Sequence, residues 1–114
     1  MSEKRILKLT IKRKWFDMIA SGKKKEEYRN FVGYYKRRLQ YYTGNPLDVL
    51  PGWIKYDEVQ LFNGGYLSES LPFIRCKWNG AKIGKVNPEW APKDTDPDQI
   101  FFCIDVSEIL EVKL

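Results

Sequence analysis

The stretch GKKKEEYR at residues 22–29 is the part of the chain from which the fold is best interpreted. It follows a run at residues 12–21 in which Trp15, Met18 and Ile19 recur at helical spacing, so this run is predicted to be an amphipathic helix. The glycine of the stretch ends that helix, because glycine adopts the left-handed conformation after a helix at little cost. The charged residues that follow are predicted to begin a strand.

The charges of this stretch indicate a site. Glu27 and Arg29 are i, i+2 neighbours and share one face of a strand, so the carboxylate can hold the guanidinium flat for a carboxylate, a phosphate or a base edge. In a regular strand Lys24 points to the other face, so a joint site requires Lys24 to leave from the turn or from a bulge. Its sequence neighbours are two lysines and two glutamates with opposite effects on its pKa, so we expect Lys24 to stay charged.

Written as G-x-K-x-x-E-x-R, the residues Gly22, Lys24, Glu27 and Arg29 resemble the signature of the ASCH domain, a small PUA-like barrel associated with RNA and nucleotide ligands. The resemblance extends more loosely over nearly the whole chain. It implies a binding module whose cleft beside the motif strand takes RNA, a nucleotide or a modified nucleoside. Lys24 and Arg29 would supply cations there, and Glu27 would orient Arg29 or accept a hydrogen bond from a base.

The resemblance also implies two ligand-binding aromatic residues. Tyr66 follows the corner at residues 63–65, which resembles the family's turn after the central strand, and Trp90 lies in a late loop where the family has a tryptophan near the ligand pocket. Each ring is suited to stacking on a base. Each is equally suited to packing against the barrel, and the sequence leaves both roles open.

A second function stays open beside binding. Some small ASCH proteins resemble amidohydrolases of acylated cytidine whose active site holds a lysine, a threonine and a glutamate. Lys24 matches the lysine, Glu27 occupies the threonine position, and Glu58 and Glu69 are candidates for the glutamate. The resemblance therefore implies Lys24 and Glu27 as catalytic residues if the chain is an enzyme.

The remaining patterns predict an α+β protein that forms one domain over residues 1–114. Five or six short strands and two helices are compatible with a small, mostly antiparallel PUA-like β-barrel. Beside the motif elements we predict strands at residues 6–11, 56–62, 73–78, 81–86, 100–104 and 109–112, and a second helix at residues 32–42. Asn79-Gly80 is predicted to form a type I′ hairpin turn with positive φ at both residues.

The charge of the chain is unevenly placed. The net charge is +5, but residues 1–42 hold 13 lysines and arginines against 4 acidic residues, whereas residues 43–114 hold 7 against 11. A basic first third indicates an anionic partner such as RNA or a nucleotide. On the second helix we expect Tyr35 and Tyr42 to pack against the barrel, and the roles of Tyr34 and Tyr41 stay open.

Composition excludes several kinds of chemistry. The chain has no histidine, which excludes histidine-based nucleophile pairs and histidine–zinc sites, and we expect no metal and no cofactor. Cys76 and Cys103 are expected to be buried, reduced thiols. No apolar run is long enough to span a bilayer and no signal peptide is recognised, so we expect no membrane partner and a cytoplasmic location.

Overall fold

The structure, a computed structural model, describes residues 3–47 and 49–114. Strands and helices alternate along the first third of the chain, and strands dominate the rest. In chain order the elements are β1 (Ile6–Ile11), α1 (Arg13–Ala20), β2 (Glu26–Asn30), α2 (Gly33–Leu39), β3 (Gln40–Tyr41), β4 (Gly52–Trp53), β5 (Glu58–Asn63), β6 (Phe73–Lys77), β7 (Ala81–Gly84), a 3₁₀ turn (Pro88–Trp90), β8 (Phe101–Asp105) and β9 (Ile109–Lys113).

The strands form three sheets with the orders β1-β5-β6-β9, β2-β8-β7 and β3-β4. Only the pairing of β1 with β5 is parallel, and every other pairing given for the described strands is antiparallel. The predicted α+β class with two helices and mostly antiparallel sheets is therefore confirmed. No closed barrel is found within residues 3–47 and 49–114, so the barrel itself stays a prediction.

The hydrophobic core lies between the two larger sheets and α1. Alternate residues of β1 point into it, and both faces of β8 are buried, as its uninterrupted apolar sequence predicts. From α1, Phe16 and Ile19 are completely buried in the core. The strands of the two larger sheets contribute further core residues, which include Leu7, Leu9, Val59, Leu61, Ile74, Phe102 and Ile104.

The predicted hairpin at Asn79-Gly80 is wrong. β6 pairs with β5 and β9, so both of its edges are occupied, and β7 pairs with β8 in the other sheet. The dipeptide is instead a crossing from one sheet to the other. Gly80 has φ +96°, but Asn79 does not have a positive φ, which excludes a type I′ turn.

Both helices are shorter than predicted. Gly22 adopts φ +81° after α1, as expected. The second helix stops at Leu39 because Gln40 and Tyr41 enter β3. Tyr35 packs against the core as predicted, but Tyr42 is 85% exposed, so its predicted packing role is wrong. In the described part of the chain, no helix has both the length and the apolar character needed to cross a membrane.

Candidate functional site

A cavity of about 970 Å³ opens beside β2. Its walls come from the end of β1, from α1, from β2 and from the loop at residues 86–99. This volume is at the upper end of the range of about 300–1,000 Å³ that is usual for small-molecule sites. Four of the five predicted ligand-binding residues line it, namely Lys24, Glu27, Arg29 and Trp90.

Lys24 reaches the cavity because it precedes β2, which begins at Glu26. Strand alternation therefore does not apply to it, as the joint-site prediction requires. Its backbone N–H donates to the carbonyl of Met18 in α1, which fixes the turn. The side chain is only 2% exposed, and its Nζ donates to the carbonyl of Trp90 and lies 3.5 Å from Oε1 of Glu27.

Two aromatic rings complete the surroundings of this ammonium group. The Nζ of Lys24 lies 4.8 Å from the ring centre of Trp15 and 4.7 Å from that of Tyr28. Such rings stabilise a cation in a site that water does not reach. Burial nevertheless lowers the pKa of Lys24, and the Arg29 charge adds to this, although Glu27 opposes it. Burial is the main cause of the lowered pKa of Lys24. The expectation from the sequence considered only the charges of neighbouring residues in the chain, and these do not reveal burial.

Glu27 joins Lys24 to Arg29. Its side chain is 9% exposed, and its Oε2 accepts a hydrogen bond of 2.7 Å from Nη2 of Arg29. The same Nη2 donates to the carbonyl of Thr10 at 2.6 Å, and Nη1 donates to the hydroxyl of Tyr35 at 3.3 Å. The guanidinium thus links β2 to β1 and α2. These three hydrogen bonds are all to protein groups, one of them to Glu27, whereas the Nε of Arg29 is buried and has no hydrogen-bond partner among the described residues.

The charges that line the cavity balance. The lining contains three cations and three carboxylates, so it is formally neutral even though the first third of the chain is strongly basic. A neutral lining with one buried ion network suits a polar ligand of low charge better than a polyanion. The charged lining residues are Lys12, Lys24, Arg29, Glu27, Asp94 and Asp96.

Sequence reasoning did not assign the cavity's other aromatic residues to a site. Trp15 was placed only in the apolar stripe of α1, and Tyr28 alternates with Glu27 and Arg29 in β2. The Tyr28 hydroxyl donates to Oε1 of Glu26 at 2.9 Å and accepts from the N–H of Asn87 at 2.9 Å. Burial raises the pKa of Tyr28, so this phenol stays protonated. The sequence does contain one indication for Tyr28, because it lies inside the motif, between Glu27 and Arg29.

The loop at residues 87–99 forms one wall of the cavity. Its first residue is tied to β2 through the Tyr28 hydroxyl, and its 3₁₀ turn is tied to Lys24 through the carbonyl of Trp90. The side chain of Asn87 accepts from the N–H of Glu89 and begins the turn. Trp90 is half-buried and lines the cavity, a position that fits either of the roles left open for its ring.

Three residues singled out in the sequence lie elsewhere. Tyr66 is 62% exposed and is not among the cavity-lining residues. Glu58 lies on β5 and forms ion pairs with Lys4 at 2.9 Å and with Arg75 at 2.8 Å. Burial alone would raise the pKa of Glu58, but these hydrogen bonds outweigh it and lower the pKa. Glu69 is also outside the lining, so neither candidate for a second catalytic glutamate reaches this cavity.

Metal-binding clusters and cysteine thiols are two further kinds of reactive group to consider among the described residues. Within residues 3–47 and 49–114, no group of three or more acidic, cysteine or histidine side chains is placed to hold a metal ion. Cys76 and Cys103 are free and buried, as expected. Burial raises the pKa of Cys76 to about 12 and also raises that of Cys103, so both thiols are poor nucleophiles.

Comparisons with protein-family models, curated proteins and solved structures give no match. The ASCH resemblance therefore rests on the four motif residues, of which Lys24, Glu27 and Arg29 line the cavity and Gly22 ends the preceding helix.

Proposed function

We propose that this chain binds a nucleoside or a single nucleotide, free or as one unit of an RNA strand, in the cavity beside β2. The observation that carries the proposal is the buried network of Lys24, Glu27 and Arg29 in the wall of an aromatic-lined cavity. We also propose that the two larger sheets represent a PUA-like arrangement, as the motif implies.

The size and the lining of the cavity support a nucleoside. A base needs an apolar surface for its faces and hydrogen-bonding groups for its edge, and ligand sites commonly combine both. Trp15, Tyr28, Trp90 and Phe101 contribute rings to the lining, and Asn63 and Gln99 contribute amides. The balanced charge of the lining favours a nucleoside or a monophosphate over a ligand with several phosphates.

Equilibrium binding tests this proposal. A panel of nucleosides and nucleoside monophosphates, including acetylated cytidine, is titrated against the chain by calorimetry. Replacing Lys24 with methionine removes a charged hydrogen-bond donor and should weaken binding roughly tenfold or more. The matched control is Lys25→Met, because Lys25 is adjacent and exposed. Absence of binding across the panel, or equal losses in both variants, would contradict the proposal.

A second function, hydrolysis of an acylated cytidine, is favoured by one specific observation. The pKa of Lys24 is lowered by burial, and a desolvated lysine beside a carboxylate can act as a base. Glu27 occupies the position at which the resemblance implies a threonine. Thr95 lines the same cavity and supplies a hydroxyl group from a different element.

An assay of acetylcytidine deacylation separates the two functions. A binding module should release no acetate, and its Lys24→Arg variant should keep part of its affinity because the charge survives. A hydrolase should lose its activity in that variant, since a guanidinium does not replace a lysine base. Deacylation by the wild-type chain that disappears in Lys24→Arg would replace the binding proposal with the hydrolase.

A further inference from the structure

Two arginines are bound side by side along the outer edge of β1. This strand lies at one end of the four-stranded sheet, so carbonyls on its outer edge can accept hydrogen bonds from other elements. Nη2 of Arg29, from β2, donates to the Thr10 carbonyl at 2.6 Å. Nη2 of Arg38, from α2, donates to the Lys8 carbonyl at 3.0 Å.

Each of these arginines also holds a tyrosine of α2. Nη1 of Arg29 donates to the Tyr35 hydroxyl at 3.3 Å, and its Cζ lies 5.8 Å from the centre of that ring. Nη1 of Arg38 donates to the Tyr34 hydroxyl at 3.3 Å, and its Cζ lies 5.7 Å from that ring centre. We call Arg29 with Tyr35 the cavity unit, because both residues line the cavity beside β2, and Arg38 with Tyr34 the outer unit.

The outer unit repeats the geometry of the cavity unit and adjoins it. The rings of Tyr34 and Tyr35 meet edge-on with their centres 4.9 Å apart. The carbonyls that hold the two arginines are two residues apart on β1, which places them about 6.6 Å apart. This spacing is about twice the rise of 3.4 Å per nucleotide in a stacked strand. It suits a single strand whose neighbouring bases are separated and lie on protein rings.

The two units differ in charge. Arg29 is neutralised by Glu27 at 2.7 Å, whereas Arg38 has no ion pair within the described part of the chain. Its two hydrogen bonds, which lie at the surface, leave the guanidinium with further N–H donors. Residues 28–47 hold four lysines and arginines and no acidic residue. The outer unit therefore presents an unneutralised cation beside a ring, that of Tyr34, which is 55% exposed.

We propose that the outer unit is a second nucleotide subsite, so that the ligand is a single strand of at least two nucleotides. The phosphate next to the cavity-bound nucleoside binds Arg38, and the following base stacks on Tyr34. Charge complementarity supports this order, because the neutral cavity takes the uncharged part of the ligand and the outer unit takes the anion. The inference rests on the proposed function, since the first nucleoside occupies the cavity. Its phosphate and base chemistry is common to RNA and DNA.

Calorimetric titration with the nucleosides and with the homodinucleotides ApA, CpC, GpG and UpU tests the second subsite. For the base that binds best, the dinucleotide should bind roughly tenfold or more tightly than the nucleoside, because it adds a stacked base and a phosphate contact. Arg38→Gln and Tyr34→Leu should each remove most of this gain. The matched controls Lys77→Gln and Tyr66→Leu change exposed residues outside both units and should keep it.

The nucleoside titration separates the subsite from a structural role. A subsite residue should affect the dinucleotide selectively, and Tyr34→Phe, which keeps the ring, should retain most of the gain. Equal losses of nucleoside and dinucleotide affinity in Arg38→Gln and Tyr34→Leu would overturn the proposal.

The wild-type chain separates this inference from the proposed function. Nucleosides that bind as tightly as their dinucleotides would overturn the subsite and leave the proposed function intact, whereas absence of binding by either would overturn both. A parallel series of deoxyribose dinucleotides identifies the strand. A gain limited to the ribose series assigns the subsite to RNA, and an equal gain in both series assigns it to any single strand.

Discussion

At the scale of single residues, Glu27 is the group on which the site depends. It is nearly buried and contacts two cations, Lys24 at 3.5 Å and Arg29 at 2.7 Å. A carboxylate in this position offsets the cost of burying both charges. Its removal leaves them without their counter-ion.

We therefore predict that Glu27→Gln lowers the free energy of unfolding by about 3–5 kcal/mol, because the loss of one partner from a buried ion pair leaves an uncompensated charge. Chemical denaturation measures this change. Glu26→Gln is the control, since Glu26 is more exposed and its ion pair with Lys82 spans 3.7 Å. That control should cost roughly 1 kcal/mol or less. Equal effects of the two substitutions would contradict the importance given to the buried network.

Lys24 gives the stability of the chain a specific pH dependence. Its pKa in the folded state is below 10.5, the value for an unburied lysine. Between these two pKa values the unfolded chain holds more protons than the folded one, so stability rises with pH. The wild-type chain should therefore gain stability relative to Lys24→Met as the pH rises from the folded-state pKa towards 10.5, and should show no such gain below that window.

Denaturation of both proteins across the alkaline range measures this difference. The raised pKa values of Tyr28 and Cys76 act in the opposite direction, because these groups ionise first in the unfolded chain. They are present in both proteins, so their contribution is removed by subtraction. A wild-type advantage that falls as the pH rises would mean that Lys24 is stabilised in its charged form.

At the scale of elements, Gly80 is predicted to matter for its backbone alone. It has φ +96°, and a Cβ added there would meet no atom within 4 Å. Gly80→Ala should therefore lower the free energy of unfolding by about 1–2 kcal/mol through backbone strain. Gly65→Ala is the matched control, because it also has open space but no left-handed φ. A neutral Gly80→Ala would show that the sheet crossing tolerates another conformation.

The elements also show what could be read from the sequence. The span of β1 was predicted to the residue, and α1 to within one residue at either end, because their patterns are local and periodic. The pairing of β6 and β7 was predicted wrongly, since a favourable turn dipeptide says nothing about strands far along the chain. β5 and β9 occupy the two edges of β6, so β6 has no free edge with which β7 could pair.

The candidate site was partly predictable for the same reason. Lys24, Glu27 and Arg29 lie close in sequence, so their spacing carries information about a common site. Trp15 and Thr10 enter the site from other elements, and no local pattern distinguishes them from core or strand residues. Tyr66 was selected through a resemblance of its turn, and the fold leaves it exposed outside the cavity.

At the scale of the whole molecule, the basic first third of the chain and the neutral lining of the cavity favour ligands of different charge. The first 42 residues hold 13 basic against 4 acidic residues, whereas the lining of the cavity beside β2 is balanced. A ligand confined to the cavity meets the balanced charge. If the proposed ligand is one unit of an RNA strand, the rest of that strand would extend beyond the cavity and would be attracted to the basic residues of α2, among them Arg37, which is exposed.

This difference predicts two salt dependences for one site. Nucleoside affinity should change little between low and high salt, because no phosphate counter-ions are released. The affinity of a short single-stranded RNA should fall linearly on a logarithmic plot, with a slope of about −0.7 for each phosphate contacted. Arg37→Ala should reduce that slope by about 0.7, whereas Lys77→Ala, an exposed lysine on β6 in the acidic second part of the chain, should leave it unchanged. A flat RNA dependence, or no RNA binding at low salt, would restrict the ligand to a free nucleoside or nucleotide and leave the basic surface of α2 without a role in recognition.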